Sequence, residues 1–182
     1  MKVFIFHCWG GKARDCWRGH LADELRKKDV EVVAPDFPNS MNPQLKEWLA
    51  EVRKNVPKFN SEWVLVSHSL GGPAILRLLE TFTPDEKVKA VFLVAAFAND
   101  LGIPEISNFV DKGFNWEKIR KGADKFTVIN SDNDPFIELS EGKRIANLLG
   151  AELIVENGAG HINEGAGFTK YPRILELVLN QK

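Results

Sequence analysis

From Val88 to Phe97 every residue except Lys89 is apolar. Such a run suits a strand buried on both faces, as occurs in the middle of a parallel sheet covered by helices. The rest of the chain follows the same logic. Short β-branched runs are expected as strands at Lys2–Cys8, Glu31–Pro35, Trp63–Ser67, Lys125–Asn130 and Glu152–Glu156. Between them lie stretches of helical periodicity, at Cys16–Lys28, Asn42–Asn55, Leu70–Phe82, Ser140–Leu149 and Thr169–Asn180. Trp17, Leu21 and Leu25 recur four apart in the first. Leu45, Trp48, Leu49 and Val52 form the stripe of the second, with Asn42 its expected N-cap and Pro43 in its first turn. Gly150 marks the end of the fourth. Strands alternating with helices imply right-handed βαβ crossovers. The predicted fold is therefore α/β: a three-layer α/β/α sandwich around a mostly parallel, six-stranded sheet.

One stretch breaks the alternation. Residues 98–122 are long for a strand-to-strand link and carry Leu101, Ile103, Ile106, Phe109, Phe114 and Trp116. They read as a small helical insertion above the carboxyl ends of the strands, the edge where open α/β sheets bind ligands. At 182 residues the chain fits one domain, 1–182. A net charge of −1, with no basic stripe interleaved with aromatics, makes nucleic acid and anionic membrane poor partners. The apolar runs are far shorter than a membrane span. The first residues read as a strand rather than a secretory h-region. Cys8 and Cys16 have neither metal-knuckle nor redox-pair spacing, so two reduced thiols of a cytoplasmic protein are expected.

Chemistry enters at Trp63–Gly72. An apolar strand, a turn of small residues and a helix start place Ser69 at a strand-to-helix elbow in the pattern S-x-S-x-G. Such a turn holds a hydroxyl clear of the sheet and aims the next backbone N–H at a reacting carbonyl. A serine needs an adjacent base, usually histidine, and that histidine needs a carboxylate to fix its tautomer. In hydrolases built on this sheet the chain order is serine, acid, histidine, each after a strand. After the fifth strand stand Asp132 and Asp134, and spacing alone does not choose between them. After the sixth stands His161, in a glycine-flanked loop that His7, His20 and His68 lack. His7 is expected to shape the turn after the first strand, His20 to lie on a helix's solvated face, and His68 to point away from the nucleophile. An oxyanion would be held by the N–H of Leu70 and by that of Trp9, with Cys8 the alternative to Trp9.

Together the His-x-Trp-Gly-Gly turn at His7–Gly11, the helix start near Trp17, the Ser-His-Ser-Leu-Gly-Gly elbow, the Ser-x-x-Asp-Pro loop at Ser131–Pro135 and the Gly-His loop resemble a known family. It is that of the compact α/β-hydrolase-fold serine hydrolases related to retinoblastoma-binding protein nine. The resemblance implies a triad of Ser69, Asp134 and His161, with no metal and no organic cofactor. Two features depart from it. Cys8 stands where glycine is common, and no L-x-C-x-E segment of the kind associated with retinoblastoma-protein binding occurs. The expected activity is hydrolysis of small carboxylic esters through an acyl-enzyme, on a small-molecule ester or acyl substrate. Thioesterase and amidase or peptidase chemistry would use the same groups, and a non-catalytic binding scaffold is the reading from another class. An aspartate nucleophile of the dehalogenase type is ruled against by Ser69. Phe114 and Trp116 are the expected substrate contacts in the insertion.

Overall fold

Six strands lie in the order β2-β1-β3-β4-β5-β6, and every neighbouring pair is parallel. The computed structural model describes residues 1–181. The strands are β1 (Lys2–Phe6), β2 (Glu31–Val33), β3 (Trp63–His68), β4 (Val88–Val94), β5 (Ala123–Ser131) and β6 (Glu152–Glu156). The helices are α1 (Cys16–Arg26), α2 (Leu45–Asn55), α3 (Gly71–Glu80), α4 (Trp116–Lys121), α5 (Leu139–Leu149) and α6 (Pro172–Leu179).

Alternation along the strands divides the core in two. Val3, Ile5, Val64, Val66 and Phe92 point to the face covered by α1 and α6, where they meet Trp17, Leu21, Leu25 and Ile174. Phe4, Phe6, Leu65, Val91 and Leu93 point the other way, toward Trp48 of α2, Ile75 of α3, Ile119 of α4 and Ile145 of α5. Both faces of β4 are thus buried, which accounts for its nearly uniform apolar sequence. The chain runs outward from β1 to β2, then returns to β3 on the other side of β1. The carboxyl ends of β1 and β3 therefore flank a topological switch point, where such sheets open a crevice.

Local boundaries depart from expectation in instructive ways. Helix α2 starts at Leu45, and Asn42 does not cap it. Asn42 N–H instead closes a turn on Asn39 O at 2.8 Å. The open N–H of Leu45 is satisfied by Asn108 Oδ1 at 2.8 Å, while Asn108 Nδ2 donates to Pro43 O. A cap brought from 63 residues away leaves no local sequence signal. Strand β4 ends at Val94 because Ala95 turns into the left-handed region, φ 47°. Residues 98–122 then form a 3-10 turn (Pro104–Phe109) and α4.

Candidate active site

The elbow between β3 and α3 is built by close approach. Ser69 has φ 52°, its N–H donates to Val94 O at 2.9 Å, and its C=O accepts from Gly72 N–H at 2.8 Å. A Cβ on Gly71 would lie 2.8 Å from Phe6 of β1, and one on Gly72 would lie 2.4 Å from Ala96 Cβ. Only glycine lets the helix start press this far into the sheet. Ser67, in the place of the first motif glycine, is fully buried, and its Oγ donates to Phe92 O.

His161 and Asp134 meet across two loops. His161 Nδ1 lies 2.8 Å from Asp134 Oδ2. Asp134 Oδ1 accepts the N–H groups of Phe136 (2.9 Å) and Ile137 (3.1 Å). Its side chain is 0% exposed, against 11% for that of His161. A carboxylate with one oxygen occupied by two amides presents the other to the imidazole in a fixed direction. Asp132, the competing acid, holds the histidine loop by its backbone: its Oδ1 accepts from Gly158 N–H at 2.7 Å. Asn133 Oδ1 does the same for Gly160 N–H, and Ser131 Oγ for Ala159 N–H. Phe136 stands edge-on to the His161 ring, with 5.1 Å between ring centroids.

Ser69, His161, Leu70 and Trp9 line one cavity of about 380 Å³. Among the described residues the N–H groups of Trp9 and Leu70 donate to no other group, nor does that of Cys8. The carbonyls on the other side of the Trp9 and Leu70 peptide units are held. His7 Nε2 accepts from Phe37 N–H at 2.8 Å, so His7 Nδ1 carries the proton and donates to Cys8 O at 2.8 Å. Burial keeps His7 neutral, its pKa below the usual histidine value. Gly72 N–H holds Ser69 O. Each peptide plane is thereby fixed with its N–H open, which is what an anion site needs.

The apolar wall comes from Leu70, Phe97, Leu101, Ile103, Ile106 and Ile137. Phe114 and Trp116 are not part of it, which corrects the expectation for the insertion. Phe114 packs under the Arg77 guanidinium of α3, 4.0 Å from carbon to ring centroid, and Trp116 lies beside Phe114 and near Arg144. Arg77 Nη1 and Glu80 Oε1 bond the backbone of Gly113 and Asn115, tying this half of the insertion to α3. The aromatics fasten the segment, and the aliphatics before them reach the cavity. That Ile137 and Phe136 contribute follows from their place just after Asp134, a cue available in the sequence.

The polar lining of the cavity includes Cys8, Asp15, Cys16, Asn163 and Glu164. Both cysteines are unpaired. Cys16 Sγ–H donates to Phe168 O, and burial pushes this thiol up. His68, expected to point away from the nucleophile, lines the same cavity as Ser69. Its ring is buried among Trp17, Arg18 and His161. Burial first, and the Arg18 charge next, hold it neutral, well below the usual histidine range. Among the described residues no cluster of three His, Cys, Asp or Glu side chains could hold a metal ion, and no helix is long and apolar enough to cross a membrane.

Known proteins agree with this architecture. YdeN of Bacillus subtilis (strain 168), a provisionally named hydrolase, is 29% identical over 97% of this chain and 94% of its own length. The crystal structure of the B. subtilis ydeN gene product superposes with a TM-score of 0.94, covering 99% of this chain and 97% of that one. The serine hydrolase RBBP9 of Rattus norvegicus is 25% identical over 93% of this chain and 90% of its own. The serine hydrolase family matches residues 3–180, so this α/β-hydrolase-like chain belongs to that family.

Proposed function

We propose that this serine hydrolase cleaves small carboxylic esters through Ser69, His161 and Asp134. The observation that carries the reading is the 2.8 Å contact of His161 Nδ1 with a buried Asp134 carboxylate, beside the cavity that Ser69 also lines. Asp134 keeps the His161 proton on Nδ1, which leaves Nε2 as the base. As Ser69 Oγ bonds to the ester carbon, its proton passes to His161 Nε2, and the carbonyl oxygen becomes an oxyanion. The N–H groups of Trp9 and Leu70 receive that charge. The C–O bond then breaks, His161 returns the proton to the departing alcohol, and an acyl-Ser69 ester remains. Water, deprotonated by His161 in turn, hydrolyses it to the acid. The aliphatic wall at Leu101, Ile103 and Ile106 suits a short apolar acyl group, and a cavity of about 380 Å³ sits at the small end for ligand sites.

Hydrolysis of p-nitrophenyl acetate and butyrate by wild type and Ser69→Ala tests the reading. Turnover should fall by at least about 10³-fold in the variant, and the wild type should release one equivalent of nitrophenol per Ser69 ahead of steady turnover where deacylation is slow. Ser69→Ala turning over near the wild-type rate overturns it.

A further inference from the structure

The lining of the cavity includes a buried cation without an acidic partner. Arg18, in the first turn of α1, is 1% exposed, and among the described residues no carboxylate lies within ion-pair distance of it. Its Nη1 lies 3.0 Å from His68 Nδ1, its Nη2 donates to Lys12 O at 3.0 Å, and its buried Nε has no acceptor. A guanidinium left so poorly compensated costs stability. In this fold it has a definite consequence. Guanidinium nitrogens donate and never accept, so His68 Nδ1 must be the unprotonated nitrogen. The proton of the neutral ring is therefore on Nε2, which lies 2.9 Å from His161 O and donates to it.

The loop that receives this bond is strained. Ile162, a β-branched residue, has φ 49°, and Gly160 before it has φ 53°. Such a conformation persists only where its surroundings over-determine it. Here two consecutive carbonyls are gripped, one from the end of β3 and one from α1. His68 holds that of His161, and the Trp17 indole N–H holds that of Ile162 at 2.8 Å. Asp132 and Asn133 hold the loop's amides from the β5 side.

We propose that Arg18 and His68 are positioning residues for the general base: Arg18 fixes the His68 tautomer, and His68 fixes the backbone from which the His161 imidazole projects. The inference rests on the serine hydrolase reading above. It places a determinant of catalysis on α1, which supplies no reacting group. Arg18 acts only through His68, so the two are coupled.

Steady-state hydrolysis of p-nitrophenyl butyrate tests this in Arg18→Met, His68→Leu, His68→Gln and the Arg18→Met/His68→Leu pair, each first checked for native circular dichroism. Gln reproduces the required pattern, with its carbonyl toward Arg18 and its amide N–H toward His161 O. His68→Leu should lower kcat by about 10- to 100-fold with KM within about twofold, since misplacing a base by a fraction of an ångström costs rate and not binding. His68→Gln should recover most of that loss. The double variant should be no slower than His68→Leu alone. Wild-type kcat in His68→Leu, failure of Gln to recover activity, or additive losses in the pair would overturn the proposal. Ser69→Ala run alongside keeps the two readings apart: if it remains active the hydrolase reading fails, and if it is inactive while His68→Leu keeps the wild-type kcat, only the positioning role fails. Should His68→Leu not fold, imidazole ¹⁵N–¹H spectra of wild type and Arg18→Met decide. A single neutral Nε2–H tautomer at His68, lost in Arg18→Met, supports the proposal. An Nδ1–H tautomer in the wild type, or no change in Arg18→Met, contradicts it.

Discussion

At the scale of single residues, the site separates two neighbouring acids by what each touches. Asp134 reaches the imidazole of His161, and Asp132 reaches only the backbone of Gly158. Asp134→Asn should keep the amide contacts from Phe136 and Ile137 but turn an N–H donor toward His161 Nδ1. That favours the wrong tautomer, and kcat should fall on the order of 10³- to 10⁴-fold with little change in KM. Asp132→Ala removes one exposed loop bond, so it should cost about 1 kcal/mol of stability and at most about tenfold in kcat. Esterase kinetics and urea unfolding of both variants check the contrast. Equal losses of activity would mean the acids had been assigned to the wrong roles.

Among the elements, the insertion has two jobs in two halves. Leu101, Ile103 and Ile106 line the cavity, while Phe114 and Trp116 pack on Arg77 and Arg144. Ile103→Ala and Ile106→Ala should shift the best substrate toward longer acyl chains, read as kcat/KM across acetate, butyrate and hexanoate esters. Phe114→Ala should lower stability by about 2 kcal/mol and leave that preference unchanged, because it loses ring packing away from the cavity. A changed chain preference in Phe114→Ala would place this ring in the binding wall after all. The sequence showed that the insertion was apolar, yet hydrophobicity alone does not say which side a loop residue faces. The strands were readable because β4 is apolar on both faces and the others carry β-branched residues in runs set off from the helical periodicity. The helix starts were less so, since α2 takes its cap from Asn108 in the distant 3-10 turn. The elbow and the acid and histidine loops stood out because each needs particular small or polar residues at a strand end. His68 and Arg18 did not, because nothing in a linear pattern reports which ring nitrogen is facing what.

For the whole molecule, the same buried histidines set a pH dependence. His7 and His68 are both held below the usual histidine pKa, first by burial. A depressed folded-state pKa means the unfolded chain binds the extra proton first. Stability from these groups is therefore complete above about pH 6.5 and is lost as pH falls below it, by up to about 1.4 kcal/mol per pH unit for each. Urea unfolding at pH 7.5, 6.5 and 5.5 should show this decline, and His68→Gln should flatten part of it. A flat profile in the wild type would mean that neither ring is kept neutral by the fold. Fluorophosphonate labelling located by peptide mass spectrometry tests whether Ser69 is a nucleophile activated by His161. Ser69 should be modified rapidly in the wild type, and labelling should slow by orders of magnitude in His161→Ala. No adduct on folded wild type, or an equally fast one without His161, would contradict it.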